Sequence, residues 1–427
     1  MQSARPVGPG FSPLDEEWDL APGRYSPWVL ECIVRLGTWL PFEQVPEALA
    51  FLARVSVSAE TVRRLTEAAG AAQVAIEAAT GAELERTNPA SPAGPAVLQL
   101  SVDGAMVPLV GGEWTEVRTV ALGRVVQTET AAGPRFVRTS EMSYFSRQAT
   151  AEELRSLAWP ELYRRGIETA GVVCAVQDGA EWLQSFIAVF RPDAVRILDF
   201  PHAAEYLSEA AQAVFGAGTA ETKQWLSDQL HELKHGTPKK VLAAVRTLPV
   251  ARAPLSTSAA AARTKTLTYL TKRRSQIRYA RFQEAGYPIG SGVVESANKL
   301  VVEARLKGSG MHWAPRNVNP LVALRAVVCS HRWAEAWPQI PTFLRRSARG
   351  RTAERRVVRL ASRSLTDTRS SPLTPPVIPP PSLPTAPIPP SSPPVTSLPP
   401  RPKTIVNGRP TAAHPWKRGY SPGSRAS

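Results

Sequence analysis

Cysteine is scarce in this chain of 427 residues. The three cysteines, Cys32, Cys174 and Cys329, are odd in number and far apart, and none belongs to a Cys-x-x-Cys pair. Such a set provides neither a disulfide framework nor a zinc knuckle. We therefore expect reduced thiols, most of them buried.

Long apolar runs are also missing. No run approaches the roughly 18 residues of a membrane-spanning helix, and the opening stretch MQSARPVGPGF lacks the apolar segment of a secretory signal peptide. The chain nevertheless has 43% apolar residues, enough for a sizeable core. These features predict a globular, cytoplasmic protein without a membrane partner.

Acidic residues are outnumbered, with 36 Asp and Glu against 51 Lys and Arg, a net charge of +15. From residue 341 onward there are 15 basic and 2 acidic residues, a balance of +13, which leaves 36 minus 34, or +2, for residues 1–340. A basic tail beside a nearly neutral body indicates a polyanionic partner, and nucleic acid is the expected one. A solvated segment without a specific ligand is the alternative.

Proline is concentrated near the end of the chain, where 15 of the 41 prolines lie between residues 371 and 402. Polyproline-like sequence of this kind does not pack a core. We predict a basic, Pro-rich, disordered tail over residues 346–427. Residues 1–26 are rich in proline and glycine, and we expect them to be disordered as well.

Residues 27–87 carry apolar side chains at spacings of three and four, which predicts helices. Two of them, FEQVPEALAFLARV and SAETVRRLTEAAG, are separated by a turn at Ser56–Val57, and Ser58 is a suitable N-cap. The pattern is typical of a helix-turn-helix DNA-binding region, in which Arg63 and Arg64 would face DNA. An ordinary helical hairpin accounts for the same spacing.

After a linker at residues 88–94 the periodicity changes to that of strands. Residues 95–216 show an antiparallel meander followed by alternating helices and strands, which predicts an α/β fold with a mixed sheet flanked by helices. The predicted strands are 96–110, 113–128, 135–146, GVVCAVQD and AVRILDF. Residues 217–285 are expected to be an all-helical insertion, and residues 286–345 to complete the sheet domain with further helices.

Three acidic residues occupy positions that indicate a candidate functional site. Asp103 follows the apolar strand LQLSV, Asp178 follows VVCAVQ, and each precedes a glycine. Because sites in open sheets form beyond the carboxyl ends of neighbouring strands, both side chains would project from one edge if these strands are adjacent. Glu295 lies in the first turn of the helix opened by GSGVVES. An Asp-Gly pair by itself is most often a simple turn.

Carboxylate oxygens are the ligands that hard divalent cations prefer. Two such ions about 3.5–4 Å apart can activate an attacking water and stabilise the departing oxygen of a phosphodiester. The three carboxylates are therefore a candidate site for metal-dependent phosphodiester chemistry.

These motifs resemble those of bacterial insertion-sequence transposases of the DDE type, specifically the ISKra group related to the Mutator-like superfamily. The resemblance covers roughly residues 28–340 and is carried by LSVDGAMVPL, GEWTEVRTVALG, AVQDGAEWL, ILDFPHAAEYL, YPIGSGVVESANKLVVEARLKGSGMHW and LRAVVCSHRWAEAW. It implies a ribonuclease H-like fold with a helical insertion before the glutamate. The block around Glu295 is its most specific part.

The resemblance makes Asp103, Asp178 and Glu295 the catalytic residues and the ligands of two Mg²⁺ ions, for which Mn²⁺ can substitute. The implied reaction is cleavage at the DNA ends of the element followed by strand transfer, without a nucleotide. The implied partners are double-stranded terminal repeats and target DNA, bound by a homo-oligomer associated with the nucleoid. Asp199 and His202 in DFPH receive a supporting role, and an N-cap aspartate beside a surface histidine is the alternative.

Further DNA contacts are expected near the glutamate. Lys299 follows Glu295 by one helical turn, and Arg305 and Lys307 lie near the end of the same helix, where they would contact phosphates. Trp313 is expected to lie in the core, and stacking on an unpaired base is its alternative role in DNA binding. The alternative for the cations is a solvated charged face.

One motif points to different chemistry. HELKH at residues 231–235 matches the HExxH pattern of zinc peptidases. Its helix is predicted to stop at Gly236 and no convincing third ligand follows, while histidines near a helix C-terminus are also favoured by the helix dipole. The other alternative to a transposase is a catalytically inactive, transposase-derived DNA-binding protein.

Overall fold

The structure, a computed structural model, describes residues 25–128, 136–250 and 256–350, together with the backbone of residues 405–406 and 409–410. The first three ranges lie in one unit, and the two short segments pair as antiparallel strands in a second unit. The predicted tails thus fall almost entirely outside the described residues. Residues 346–350, which were assigned to the disordered tail, are helical, because they continue a helix that starts at residue 339.

A five-stranded mixed sheet forms the centre of the larger unit. The strand order is β3-β2-β1-β4-β5, in which β1, β2 and β3 are antiparallel neighbours while β4 is parallel to both β1 and β5. The strands are β1 (Val97–Pro108), β2 (Trp114–Thr128), β3 (Phe136–Arg147), β4 (Val172–Gln177) and β5 (Val195–Leu198). The predicted α/β class and mixed sheet are confirmed.

The alternation of side chains in β1 separates the two faces of the sheet. Leu98, Leu100 and Val102 point to one face, where they form a core with helices that follow β3 and β4. Gln99 and Ser101 are buried on the other face. Because Asp103 continues this second series, it faces the same side as Gln99 and Ser101.

Helices cover both faces of the sheet, and none in the described part of the chain is long and apolar enough to cross a membrane. The N-terminal helices are α1 (Pro27–Trp39), α2 (Val45–Ala53) and α3 (Ala59–Thr87). Those among the strands are α4 (Ala151–Arg164), α5 (Glu181–Phe190) and α6 (Phe200–Phe215). The insertion contains α7 (Ala220–His235), α8 (Pro238–Arg246), α9 (Ser256–Lys272) and α10 (Tyr279–Glu284).

The helical segment that carries Glu295 passes through an unusual conformation. Helix α11 (Gly292–Ala297) continues through a π-helical stretch, Asn298–Glu303, into α12 (Ala304–Leu306). It is followed by α13 (Pro315–Cys329) and α14 (Trp333–Ala336). Arg325 on α13 is buried, and its guanidinium donates to the carbonyl oxygens of Leu300 and Val301. A buried cation thus satisfies carbonyls of the π-helical stretch.

Helix α3 begins where predicted, since Ser58 Oγ accepts a hydrogen bond from the Thr61 amide at 3.2 Å. Instead of ending near Gly70 it continues for 29 residues. The N-terminal helices share a hydrophobic core with β1 and β2 and with the helices after Gly292, in a cluster that includes Ile33, Val107 and Val301. The region predicted to bind DNA is therefore packed into the same body as the sheet.

The three cysteines are free thiols, as predicted, and Cys174 and Cys329 are buried. Burial raises the pKa of the Cys174 thiol to about 12. Such a thiol stays protonated at neutral pH and is therefore a poor nucleophile and metal ligand.

Two glycines of α3 differ in their surroundings. A Cβ atom at Gly70 would lie 2.2 Å from the carbonyl oxygen of Pro320, which means that α3 and α13 cross in close backbone contact there. A Cβ atom at Gly81 would meet nothing closer than the Pro160 ring at 3.4 Å. Of these two positions, only position 70 needs a glycine for the helices to pack.

We expect Gly70→Ala to lower the free energy of unfolding by about 1–3 kcal/mol, because the two helix backbones must move apart. The matched variant Gly81→Ala should leave it unchanged or raise it by up to about 1 kcal/mol through the higher helix propensity of alanine. Urea denaturation of both variants measures the difference. Equal effects at the two positions would contradict the close crossing of α3 and α13.

Candidate active site

The parallel pairing of β1 with β4 brings two aspartates together. The paired residues run from Val97 with Val172 to Leu100 with Ala175, a constant offset of 75 residues (172 minus 97). The same offset places Asp103 level with Asp178 (103 plus 75), one residue beyond the end of β4. Since residues in register on parallel strands point to the same face, the two carboxylates project from one edge of the sheet.

The electrostatics of the pair agree with this placement. Asp103 is partly buried and Asp178 is exposed. Burial raises the pKa of Asp103, and the negative charge of Asp178 raises it further, against the opposing effect of hydrogen bonds from Gly104 and Asn298. Among the described residues, no lysine or arginine forms an ion pair with either aspartate.

The helix that carries Glu295 packs over β1 and β2. Its closest link to the aspartates is Asn298, whose Nδ2 donates to Asp103 Oδ2 at 3.0 Å. Residues three apart on a helix are neighbours on its surface, so Glu295 lies one turn from this contact. The helix therefore carries the predicted third acid one turn from the contact with Asp103.

Glu295 itself is engaged elsewhere. Its side chain is 65% exposed and forms an ion pair with Lys299 at 2.5 Å, and this hydrogen bond lowers the pKa of Glu295. Within the described ranges no three His, Cys, Asp or Glu side chains are grouped closely enough to hold one cation. The structure thus brings Asp103 and Asp178 together and leaves Glu295 turned to solvent.

Asp199 anchors the loop that precedes α11. Its Oδ1 accepts from the Ser291 amide at 2.6 Å and its Oδ2 from the His202 amide at 3.3 Å, and only 8% of the residue is exposed. Gln99 Nε2 adds a hydrogen bond to the Gly290 carbonyl oxygen at 3.3 Å. The loop is therefore fixed to the ends of β5 and α6 and to β1.

The Asp199 carboxylate is not hydrogen-bonded to the His202 imidazole, and the contact that forms is that of the predicted alternative, an N-cap aspartate. Asp199 receives the backbone amide of His202, as an N-cap does, while the imidazole Nδ1 lies 3.4 Å from Glu205. The ring also packs edge-on against Tyr206 and Tyr269. Capping geometry directs the His202 side chain away from the carboxylate.

Two residues of the insertion hold the turn at Asp178, and sequence reasoning did not find them. The Tyr269 hydroxyl donates to the Asp178 carbonyl oxygen, and Arg273 Nε donates to the Gly179 carbonyl oxygen at 3.0 Å. The Arg273 guanidinium lies 3.9 Å above the Tyr269 ring, whose other face stacks on Tyr206 at 3.9 Å. No local sequence pattern predicts these contacts, because each joins residues more than 90 positions apart in the chain.

Arg305 and Trp313 lie in the core, which corrects the prediction that Arg305 contacts DNA phosphates and agrees with the core position expected for Trp313. Arg305 is 1% exposed, its Nε donates to the Gly37 carbonyl oxygen at 3.2 Å, and burial lowers its pKa to about 10. Trp313 is 7% exposed, and its indole donates to the Leu306 carbonyl oxygen at 2.9 Å. The Arg305 guanidinium also packs on the rings of Phe42 and Trp313.

The other residues predicted to contact DNA lie at the surface, and most of them form ion pairs with acidic neighbours. Arg63 is held by Glu60 at 2.6 Å and by Glu67 at 2.8 Å. Lys307 pairs with Glu303 at 2.7 Å, and Lys299 with Glu295. Arg64 is exposed, and no ion pair ties it to another described residue. Most of these cations therefore have their charge locally compensated.

A different group of cations is better placed to meet a polyanion. One shallow cavity on the insertion is lined by four basic residues that are exposed and form no ion pair with any residue the structure describes: Lys239, Arg274, Arg278 and Arg281. We call this group the insertion cluster. It combines the start of α8 with the region around α10, so the separate segments gave no signal in the sequence.

The HELKH motif lies at the C-terminal end of α7. His231 and His235 are exposed, with ring centroids 5.0 Å apart. Glu232 accepts from the Thr237 amide at 3.0 Å and pairs with Lys240, so it closes the helix end. No third ligand group joins the two histidines within the described residues.

No known family profile matches this chain, and a search of curated proteins gives no significant match.

In metal-free buffer, Asp103→Asn should raise the melting temperature at pH 8 by about 1–3 °C. The pKa of Asp103 is raised in the folded state above the unfolded value of about 3.9, so the ionised form destabilises the fold at neutral and alkaline pH. The gain should shrink as the pH falls and vanish well below the unfolded pKa of about 3.9, where the carboxyl is protonated in both states.

Thermal unfolding over a pH series tests this expectation. Asp228→Asn, which alters an exposed aspartate on α7, is the control and should change little. A lower melting temperature for Asp103→Asn at pH 8 would show that the ionised carboxylate stabilises the metal-free fold.

Proposed function

We propose that this chain is a DNA transposase that cleaves element ends and transfers the freed strand by a metal-dependent DDE mechanism. The observation that carries the proposal is the parallel register of β1 with β4, which when continued sets Asp103 level with Asp178, with the Glu295 helix packed over β1 and β2. The proposal includes the ribonuclease H-like fold implied by the resemblance. The mixed sheet, with an all-helical insertion before Glu295, is compatible with that fold.

The residues at this edge suit hard divalent cations. Two carboxylates lie side by side, without a compensating lysine or arginine among the described residues, and the Asn298 amide oxygen beside them is buried without a hydrogen-bond partner. Asp103, Asp178 and Glu295 would hold the ions, since oxygen ligands are what Mg²⁺ and Mn²⁺ prefer. When bound, the ions would activate the nucleophile and neutralise charge on the phosphodiester.

The protein's own part is to orient these ligands. Tyr269 and Arg273 fix the main chain at Asp178, and Asp199 fixes the loop from which α11 starts. Glu295 would have to exchange Lys299 for the metal. An exposed ion pair of this kind contributes little stability, so it does not prevent the exchange.

The free cations of the insertion cluster would bind the DNA backbone. Phosphate contacts provide most of the affinity of sequence-independent DNA binding. The proposed partners are element ends and target DNA, bound by a homo-oligomer, and no nucleotide is required. The released 3′-hydroxyl would then attack target DNA at the same site.

A catalytically inactive DNA-binding protein is the second candidate. The orientation of Glu295 favours it, because the third acid is paired with Lys299 rather than grouped with the aspartates. A strand-transfer assay that stays negative with both Mg²⁺ and Mn²⁺, while DNA binding persists, would select this candidate.

Asp178→Asn should reduce end cleavage by more than about 100-fold, whereas Asp199→Asn should reduce it by about 10-fold, the scale of altering a group that only orients a metal ligand. Asparagine at position 199 retains one acceptor oxygen for Ser291 or His202. The measurement is cleavage of the element's own terminal DNA by purified protein with Mg²⁺. Loss of cleavage in folded Asp199→Asn with activity kept in Asp178→Asn would reverse the assignment.

Replacing Arg274, Arg278 and Arg281 together by alanine should weaken binding to double-stranded DNA of any sequence. The slope of log K against log salt concentration should become shallower by about one for each phosphate that the protein no longer binds. Fluorescence anisotropy over a salt series measures both effects. Lys240→Ala is the control, since Lys240 is paired with Glu232, and an equal effect of that variant would contradict a specific role of the insertion cluster.

A further inference from the structure

Asn298 is buried, and one of its two side-chain polar atoms has no hydrogen-bond partner among the described residues. The residue is 5% exposed, and its Nδ2 donates to Asp103 Oδ2 at 3.0 Å. Its Oδ1 is buried and accepts no hydrogen bond in the described part of the chain. Buried polar atoms nearly always have a partner, so an unsatisfied carbonyl oxygen beside two carboxylates calls for an explanation.

The buried helix residues around Asn298 are apolar. Val294, Ala297 and Val301 flank it along the helix and are fully buried in the hydrophobic core. An apolar residue would pack in this setting without leaving an orphaned oxygen. Asn298 is instead the first residue of the π-helical stretch that Arg325 holds in place, and single π-helical turns are common at functional sites.

We propose that the side-chain oxygen of Asn298 is a ligand of the divalent cation held by Asp103 and Asp178. This inference rests on the proposed function, and it adds a neutral oxygen ligand to the site. Amide oxygens of asparagine are normal ligands of hard cations. The first ion would then be held by three oxygen donors from β1, the end of β4 and the Glu295 helix.

The distance between the two side chains is suitable for this role. Adjacent ligands of an octahedral Mg²⁺ ion, each about 2.1 Å from the metal, are about 3.0 Å apart. Asp103 Oδ2 and the near end of the Asn298 amide have this separation. The site requires an oxygen at that end, where the metal-free protein has Nδ2.

A 180° rotation of the Asn298 amide group about its bond to Cβ exchanges the positions of Oδ1 and Nδ2. The amide oxygen and nitrogen are nearly equal in size, so the turn needs almost no extra space. The hydrogen bond to Asp103 is broken, and both oxygens bind the cation in its place. Oδ1 at the far end of the amide has no partner among the described residues, so no other hydrogen bond is broken when the group turns. In the metal-free state the same amide stabilises the Asp103 carboxylate by donating to it.

Binding of Mn²⁺ to the metal-free, full-length protein tests this inference without DNA. Electron paramagnetic resonance measures free and bound Mn²⁺ directly. We expect Asn298→Ala to raise the Mn²⁺ dissociation constant by about 10-fold or more. Asn298→Asp should restore wild-type affinity or exceed it, because it supplies an anionic oxygen at the same place.

Asn317→Ala is the matched control. Asn317 Nδ2 donates to the Glu67 carboxylate at 2.8 Å, which is the same chemical pair away from the aspartates, and this variant should bind Mn²⁺ as the wild type does. Circular dichroism verifies that each variant is folded. If Asn298→Ala does not fold, the comparison of Asn298→Asp with the wild type still decides, since a lower affinity contradicts ligation.

The outcomes separate the inference from the proposed function. Wild-type affinity in Asn298→Ala, with binding lost in Asp103→Asn, overturns the inference and leaves the metal site in place. Equal weakening in Asn298→Ala and Asn298→Asp also overturns it, because Asn298 would then only orient Asp103 as a hydrogen-bond donor. A wild-type protein that binds no Mn²⁺ removes the metal-dependent function itself.

Discussion

The parallel pairing of β1 with β4 is the interaction on which the rest of the site depends. It makes Asp103 and Asp178 neighbours although 75 residues separate them, and a slip of one residue would turn one of the carboxylates to the opposite face. Packing on both faces of the sheet fixes the register of β1 with β4. Leu100 and Ala175 are buried in the core on one side of the sheet, and Val176 is buried in the core that the insertion forms on the other.

Two like charges side by side are unfavourable in a metal-free protein, and the surrounding groups keep them in place. Hydrogen bonds from the insertion reach the carbonyl oxygens of Asp178 and Gly179 rather than the carboxylate. Asn298 donates to Asp103, and Asp199 holds the loop before α11. A rigid backbone and two carboxylates without a lysine or arginine partner among the described residues give a preorganised anionic site, and relief of their repulsion would favour the cations that we propose bind there.

Much of the secondary structure could be predicted because it depends on local patterns. The alternation of β1 and the cap at Ser58 are local features, and both appear where expected. Arg305 was assigned to a charged surface, but its helix is covered by other elements, and the guanidinium is enclosed against aromatic rings. Residue type alone does not show which side of a helix other segments will cover.

The sequence by itself determined the strands and helices and the position of an aspartate at the end of each of two strands, since these depend on periodicity and neighbouring residues. Only the tertiary structure decided that the two aspartates meet, that Asp199 caps a helix and ties down a loop, and that Glu295 pairs with Lys299. Asn298 acquires its contact with Asp103 across 195 residues. Such contacts depend on how distant segments are buried and hydrogen-bonded against each other, and no local sequence pattern shows this.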